Sequence, residues 1–197
     1  MTRASFGGAL VARRNYLLVS LGVLLLDQIT KLLAVRFLAS VDRIELIPGL
    51  FNLDFSTNAG GLFGYFSDLG TPWRQLLLTG LPVVAVGMIL WFIARGDEET
   101  RPTLLGLSLI LGGAVGNLVD RVLRTEVVDF FDVFVAPSRL ADWLTSTFGT
   151  AHWPTFNVAD AAIVSGACLL ALTIVRPARA AEASDAAAAS PVARSDR

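Results

Sequence analysis

Four apolar runs, at about residues 16–38, 76–94, 104–123 and 158–175, constrain this chain more than any other feature of it. Each approaches the roughly 20 residues that an α-helix needs to cross about 30 Å of hydrocarbon. Lipid offers no water to a backbone N–H or C=O, so each run must close its own hydrogen bonds as a helix. Composition agrees: 54% of the 197 residues are hydrophobic and 17% are charged, against about 25% charged in soluble domains. The expected fold class is an all-α integral membrane protein with four transmembrane helices.

Charge inside or at the end of such runs needs a reason. The third run ends in GGAVGNLVDRVLRTEVVDFFDV, which brings Asn117, Asp120, Arg121 and Asp129 to the edge of the bilayer. Taken alone, this suits an interfacial loop with snorkelling arginines. A second acid in a matching polar setting, Phe156-Asn157-Val158-Ala159-Asp160, opens the fourth run, so the sequence predicts two acids at facing helix ends. The first run carries Asp27, Gln28 and Lys31 in its interior. Asp27 and Lys31 are four apart, share one helix face and can neutralise each other. Burying such a pair is still costly, and intramembrane charges usually mark a functional interior.

Several function classes are excluded. A net charge of −1 and an isoelectric point near 5.8 offer no basic face to nucleic acid. One cysteine, Cys168, cannot form an internal disulfide, and one histidine, His152, leaves no His/Cys cluster for zinc or haem. No metal and no cofactor are expected, and any chemistry rests on carboxylates. Cys168 reads as packing and His152 as incidental.

The stretches between the runs supply a topology. Arg3, Arg13 and Arg14 precede the first run and put the N-terminus inside. Arg13-Arg14 resembles a twin-arginine export signal, but the run behind it is long enough to span and reads as an uncleaved helix. The loop RGDEETR at 95–101 fits the cytoplasm, with both termini inside and residues 40–72 and 125–155 outside. There, 50–56 alternates apolar and polar with period two, the mark of a short strand, and leads into Asn58, Gly60, Gly61 and Gly64, where an Asn amide can meet a peptide. Trp73 and Trp91 anchor the ends of the second span, and Pro82 is expected to kink it. Gly112 and Gly116 favour close helix packing. Leu140, Trp143, Leu144 and Phe148 recur at helical spacing and predict a short interfacial helix. The chain divides into an N-terminal segment 1–15, a membrane unit 16–175 and an Ala-rich cytoplasmic tail 176–197, expected to be disordered.

The order of blocks, Asp27-Gln28-Ile29-Thr30-Lys31, Asn58 to Gly64, Gly112 to Arg121, Val127 to Phe130 and Phe156 to Asp160, closely resembles the lipoprotein signal peptidase (signal peptidase II) family over residues 16–175. The resemblance implies a four-helix membrane aspartic endopeptidase of the bacterial inner membrane, with a small extracytoplasmic β-rich lobe. It would remove the signal peptide from prolipoproteins by cutting before a diacylglyceryl-modified cysteine. The catalytic pair falls on Asp129 and Asp160. Asp27, Lys31, Asn58, Gly60, Asn117, Arg121, Asn157 and Ala159 would build or support the site, whereas Asp120 is expected to play a structural part. Implied partners are lipidated prolipoprotein signal peptides and membrane lipid, with the enzyme acting as a monomer. The chain departs from the family pattern at Gly61-Leu62, where two alanines are usual, in a longer segment between the two acids, and in the alanine-rich tail.

Two nearby carboxylates share a proton, so one can take a proton from water while the other polarises a carbonyl. Two other readings compete. A proton-coupled carrier would use Asp27, Asp129 and Asp160 as an ion path, but lacks the inverted repeat many carriers show. A silent scaffold would leave the acids and their Asn and Arg neighbours unexplained.

Overall fold

The computed structural model describes residues 13–41, 43–59, 70–95 and 100–189, with side chains described to Val175. Gly60, Gly61, Leu62 and Gly64 lie outside the described residues. Among the described residues, four helices are long and apolar enough to cross a membrane: Arg14–Leu38, Pro72–Arg95, Arg101–Arg124 and Val158–Val175. The four apolar runs of the sequence fall within these helices.

The first span consists of α1 (Arg14–Leu33) and a π-helical turn, Ala34–Leu38. The second enters through Thr71–Gln75 and a π-helical turn, Leu76–Gly80, before α2 (Leu81–Arg95). Pro82 lacks the N–H that would bond one turn back, and the π-helical turn sits where that bond is missing. In the third, α3 (Arg101–Arg124), the Thr100 side chain accepts from the Thr103 N–H and Pro102 occupies the first turn, where its missing donor does no harm. This helix ends at Thr125, whose φ of 67° turns the chain sharply.

Next to α1, α2 and α5 (Val158–Ala189), α3 is the centre of the bundle: 44% of its most apolar stretch is buried, against 6% for the second span. Close approach depends on missing side chains. A Cβ at Gly113 would collide with the Ala159 carbonyl oxygen of α5, and one at Gly116 would lie 2.6 Å from the Asp27 carboxylate of α1.

The end of the bundle that carries the acids is roofed by a three-stranded antiparallel sheet in the order β1 (Ile44–Ile47), β2 (Phe51–Asn58), β3 (Val127–Val133). The strand expected at 50–56 is β2. Asn52 faces Asp132, Ser56 faces Asp129 and Asn58 faces Val127, with a register irregularity between Leu53 and Ser56. Val128 and Phe130 of β3 pack on Ala34 and Leu38, so an apolar cluster ties the sheet to the end of the first span.

Two expectations are corrected. Asp129 is not at a helix end but in the middle of β3, because VVDFFDV is rich in β-branched and aromatic residues that fill a buried strand. The tail is not disordered from residue 176: the backbone of α5 stays helical to Ala189, as the high helix propensity of alanine favours.

The segment expected to form a short amphipathic helix is α4 (Arg139–Phe148), capped by the Ser138 hydroxyl at its start and by Gly149 (φ 80°) at its end. Leu140, Trp143 and Phe148 are exposed, and the Trp143 and Phe148 rings meet edge to face at 5.9 Å. The returning chain is fastened to β3. His152 Nδ1 lies 2.9 Å from Asp132 Oδ1, and its ring stacks on Phe134. Burial pushes the Asp132 carboxyl up, but hydrogen bonds from His152 and Asn52, with the charges of His152 and Arg43, hold it below the usual carboxylate range. His152 is thus a structural tie rather than an incidental residue.

Candidate active site

Two groups of polar side chains meet where α1, α3, β3 and the start of α5 converge. The first is ionic. Lys31, fully buried, places its Nζ 2.9 Å from Asp27 Oδ2, 2.9 Å from Asp120 Oδ2 and 2.9 Å from Asn117 Oδ1. The i, i+4 pair expected from sequence is therefore present, with a second acid, Asp120, added. Asp120 also takes a bond from Arg124 and one from the Val128 N–H at 3.2 Å. Asp120 thus joins α1, α3 and β3. Asp27 Oδ1 accepts from the Ala159 N–H at 2.9 Å, which pins the start of α5 to α1. With two acids and two cations the group is neutral, the condition under which buried charge is tolerable.

The second group is built on amides. Asn157 caps α5 in a reciprocal box: its Oδ1 accepts from the Asp160 N–H at 2.9 Å, and Asp160 Oδ2 accepts from the Asn157 N–H at 3.2 Å. The Asn157 Nδ2 then reaches Asp129 Oδ1 at 2.7 Å, Val128 O at 3.2 Å and Asn117 Oδ1 at 3.2 Å. Asn117 Nδ2 donates to Asp160 Oδ1 at 2.7 Å. Asp129 also has a side-chain hydrogen bond to Asn58. Burial, and then the charge of Asp160, push the Asp129 carboxyl up, while Asn157, Lys31 and Asn58 hold it back; the balance is about 7. An acid poised there changes protonation state near neutral pH.

Of the site residues expected from sequence, Asp27, Lys31, Asn58, Asn117, Asn157, Ala159, Asp129 and Asp160 are brought together, while Gly60 lies outside the described residues. Arg121 stands to one side. It lines a small hollow with Ala59, Arg74, Gln75 and Thr125 and feels the charges of Asp160, Asp129 and Asp120. Sequence reasoning missed the part played by Gln28, whose Nε2 donates to Gly116 O and Asp27 Oδ2, both at 3.1 Å. Its place next to Asp27 inside an apolar run was the available signal.

Four apolar helices that bury a neutral ion cluster beside two acids joined by one asparagine define a membrane-embedded enzyme. Two solved structures described as bacterial membrane enzymes share this fold, with TM-scores of 0.67 and 0.66 and 24% and 25% sequence identity. They match 89% and 88% of this chain and 93% and 97% of theirs. The family model described as Signal peptidase (SPase) II matches residues 19–176, and the chain belongs to that family. Among its relatives, proteins called lipoprotein signal peptidase are 39% identical in Solibacter usitatus (78% of this chain, 86% of the relative) and 40% identical in Cupriavidus taiwanensis (83% and 84%). A third, from Geobacter metallireducens, is 37% identical over 84% of this chain and 93% of its own length.

Proposed function

We propose that the protein is an aspartic endopeptidase that cleaves the signal peptide from diacylglyceryl-modified prolipoproteins on the amino side of the lipidated cysteine, with Asp129 and Asp160 as its catalytic pair. The single observation that carries this reading is Asn157, which bonds both carboxylates while capping the helix that bears one of them. Two acids held by one residue, Asp129 by its side-chain amide and Asp160 by its backbone N–H, keep a fixed relation through proton transfer. The charge of Asp160 opposes ionisation of Asp129, so the pair holds one proton near neutrality. Water is then the nucleophile, Asn58 and Arg121 offer donors to peptide carbonyls that lipid cannot satisfy, and Asn117 directs its N–H to Asp160. Gly60 belongs to the same peptide-facing block as Asn58.

In this reading both termini are cytoplasmic, and the sheet and α4 lie on the outer side of the bacterial inner membrane. The apolar face of α4 rests in the interface and helps admit a lipid-bearing substrate from the bilayer. Both acids come from one chain, so a monomer suffices.

Cleavage of a lipidated precursor by purified Asp129→Asn and Asp160→Asn variants tests the assignment. Each near-isosteric amide is expected to lower kcat by about a thousandfold or more while the protein still inserts. Wild-type activity is expected to fall on both the acid and the alkaline side, since only the singly protonated pair is competent. Near-normal cleavage by either variant would return the proton-carrier reading to first place.

A further inference from the structure

The two catalytic acids of the proposed function have unlike surroundings. Asp160 presents both carboxylate oxygens to N–H donors: Oδ1 to Asn117 Nδ2 at 2.7 Å and Oδ2 to the Asn157 N–H at 3.2 Å. It also lies in the first turn of α5, where the helix dipole favours negative charge. A proton on either oxygen would weaken the acceptor at which an N–H is aimed. Asp129 is buried on a strand and takes its side-chain bonds from the amides of Asn157 and Asn58.

The orientation of Asn117 decides this asymmetry, and Lys31 decides the orientation. Asn117 Oδ1 accepts from Lys31 Nζ at 2.9 Å and from Asn157 Nδ2 at 3.2 Å. An ammonium can only donate. If the Asn117 amide turned over, its NH2 would face two donors and its oxygen would face the Asp160 carboxylate.

We infer that Lys31, acting through Asn117, fixes Asp160 as the charged member of the pair that takes the proton from water, and leaves Asp129 to carry the shared proton. This rests on the aspartic-peptidase reading. Water attacks the scissile carbonyl carbon, its proton passes to Asp160, and the Asp129 proton passes to the carbonyl oxygen. The resulting gem-diol collapses as Asp160 returns its proton to the departing nitrogen, the C–N bond breaks, and Asp129 recovers a proton from a hydroxyl. Lys31 is a positioning residue in this scheme. The other charged groups around the pair are Asp27 on α1 and Asp120, Arg121 and Arg124 on α3.

The test is the pH profile of kcat for the full chain, with a diacylglyceryl-modified precursor peptide in detergent micelles. Two variants are compared with wild type. Lys31→Met/Asp27→Asn removes the cation but keeps the charge balance, because Asp120 retains Arg124. Asn117→Ala removes the donor at Asp160 and leaves Lys31 between its two acids. Both are expected to move the acid limb upward by about one pH unit or more, with the alkaline limb moving less than half as far. KM is expected to stay within about threefold, because neither change touches the bound peptide.

A uniform loss of activity with both limbs unmoved, or a shift of the alkaline limb instead, would overturn the inference. So would unchanged profiles in both variants. If the double variant does not fold, Asn117→Ala alone decides by the same criteria. Cleavage by Asp160→Asn would instead show that the underlying peptidase reading had failed, whereas an inert Asp160→Asn with an unmoved acid limb would defeat only the part given to Lys31.

Discussion

The ionic group around Lys31 and the amide group around Asn157 lie side by side and each contain two acids, both fully buried in the first, whereas in the second Asp129 is buried and Asp160 half-buried. The first cancels charge with charge. Asp27 and Asp120 face Lys31 at 2.9 Å each, and Asp120 also meets Arg124. The second surrounds its acids with neutral donors from Asn117, Asn157 and Asn58, so that Asp129 feels the charge of Asp160. Cations set against carboxylates balance their charge in place, while amides leave room for a proton to come and go. The first arrangement suits support and the second suits chemistry, although both draw on the same residue type.

Substituting one acid in each group breaks the comparison most directly. Asp120→Asn leaves Lys31 and Arg124 with a single acid, an uncompensated buried charge, and is expected to destabilise the protein by about 3–5 kcal/mol. The folded fraction should still cleave, which separates it from Asp129→Asn. Thermal unfolding in micelles together with single-turnover cleavage would measure the two effects independently.

The opposite sign is expected for stability in the amide group. The folded-state value of Asp129 is raised to about 7 from the ordinary 3.8, so the folded protein binds a proton that the unfolded chain has released. Stability from this group is therefore present below about pH 4 and is lost as pH rises toward 7 and above. Asp129→Asn, which resembles the protonated acid, should stabilise the protein at pH 8 by about 2–4 kcal/mol, with the gain shrinking toward pH 4. A pH series of unfolding midpoints checks this. A gain that grew toward low pH would contradict the raised value.

A smaller effect is expected farther from the acids. Replacing Trp143 and Phe148 by Ser should raise the apparent KM for lipidated precursor about three- to tenfold, by loss of exposed apolar contact area, and leave kcat close to wild type. Steady-state kinetics in lipid-containing micelles would decide; unchanged KM would make α4 a spacer. The smallest effect should come from Cys168→Ser. Cys168 is exposed on α5, and its loss should change stability by no more than about 0.5 kcal/mol. In that background, Ser146→Cys on α4 should react with a membrane-impermeant maleimide from the outer face only. Labelling from the cytoplasmic face would invert the topology.

The spans were legible because length and hydropathy are local properties, and Asp27 with Lys31 because an i, i+4 pair needs only one helix. The capping relation of Asn157 and Asp160 was also within reach, since an N-cap and its N3 partner are three residues apart. What was not legible is what depends on distant pairing. Asp129 was placed at a helix end because VVDFFDV follows a helix in sequence, yet its strand exists by pairing with β2, some 70 residues earlier by register. Asp120 was expected to play a structural part with no partner fixed, and its contact with Lys31 comes from helix packing that no local pattern encodes. The course of α5 past Val175 was missed because composition was taken as evidence of disorder where alanine also favours helix.

The bond from the Ala159 N–H to Asp27 joins residues 132 positions apart, which bears on how the protein is made. As synthesis proceeds from the N-terminus, Asp27 enters the bilayer long before Ala159, Asp120 or Asn117 exists. Lys31, one helical turn away, is the partner already at hand, so α1 can cross as a locally neutral helix and exchange part of that pairing for the completed network later. Asp160 arrives only with the last span, and until then the nascent chain carries Asp129 without its counterpart. If Asp129 and Asp160 are the catalytic pair proposed above, a protease assembled in this order is inert throughout its own insertion.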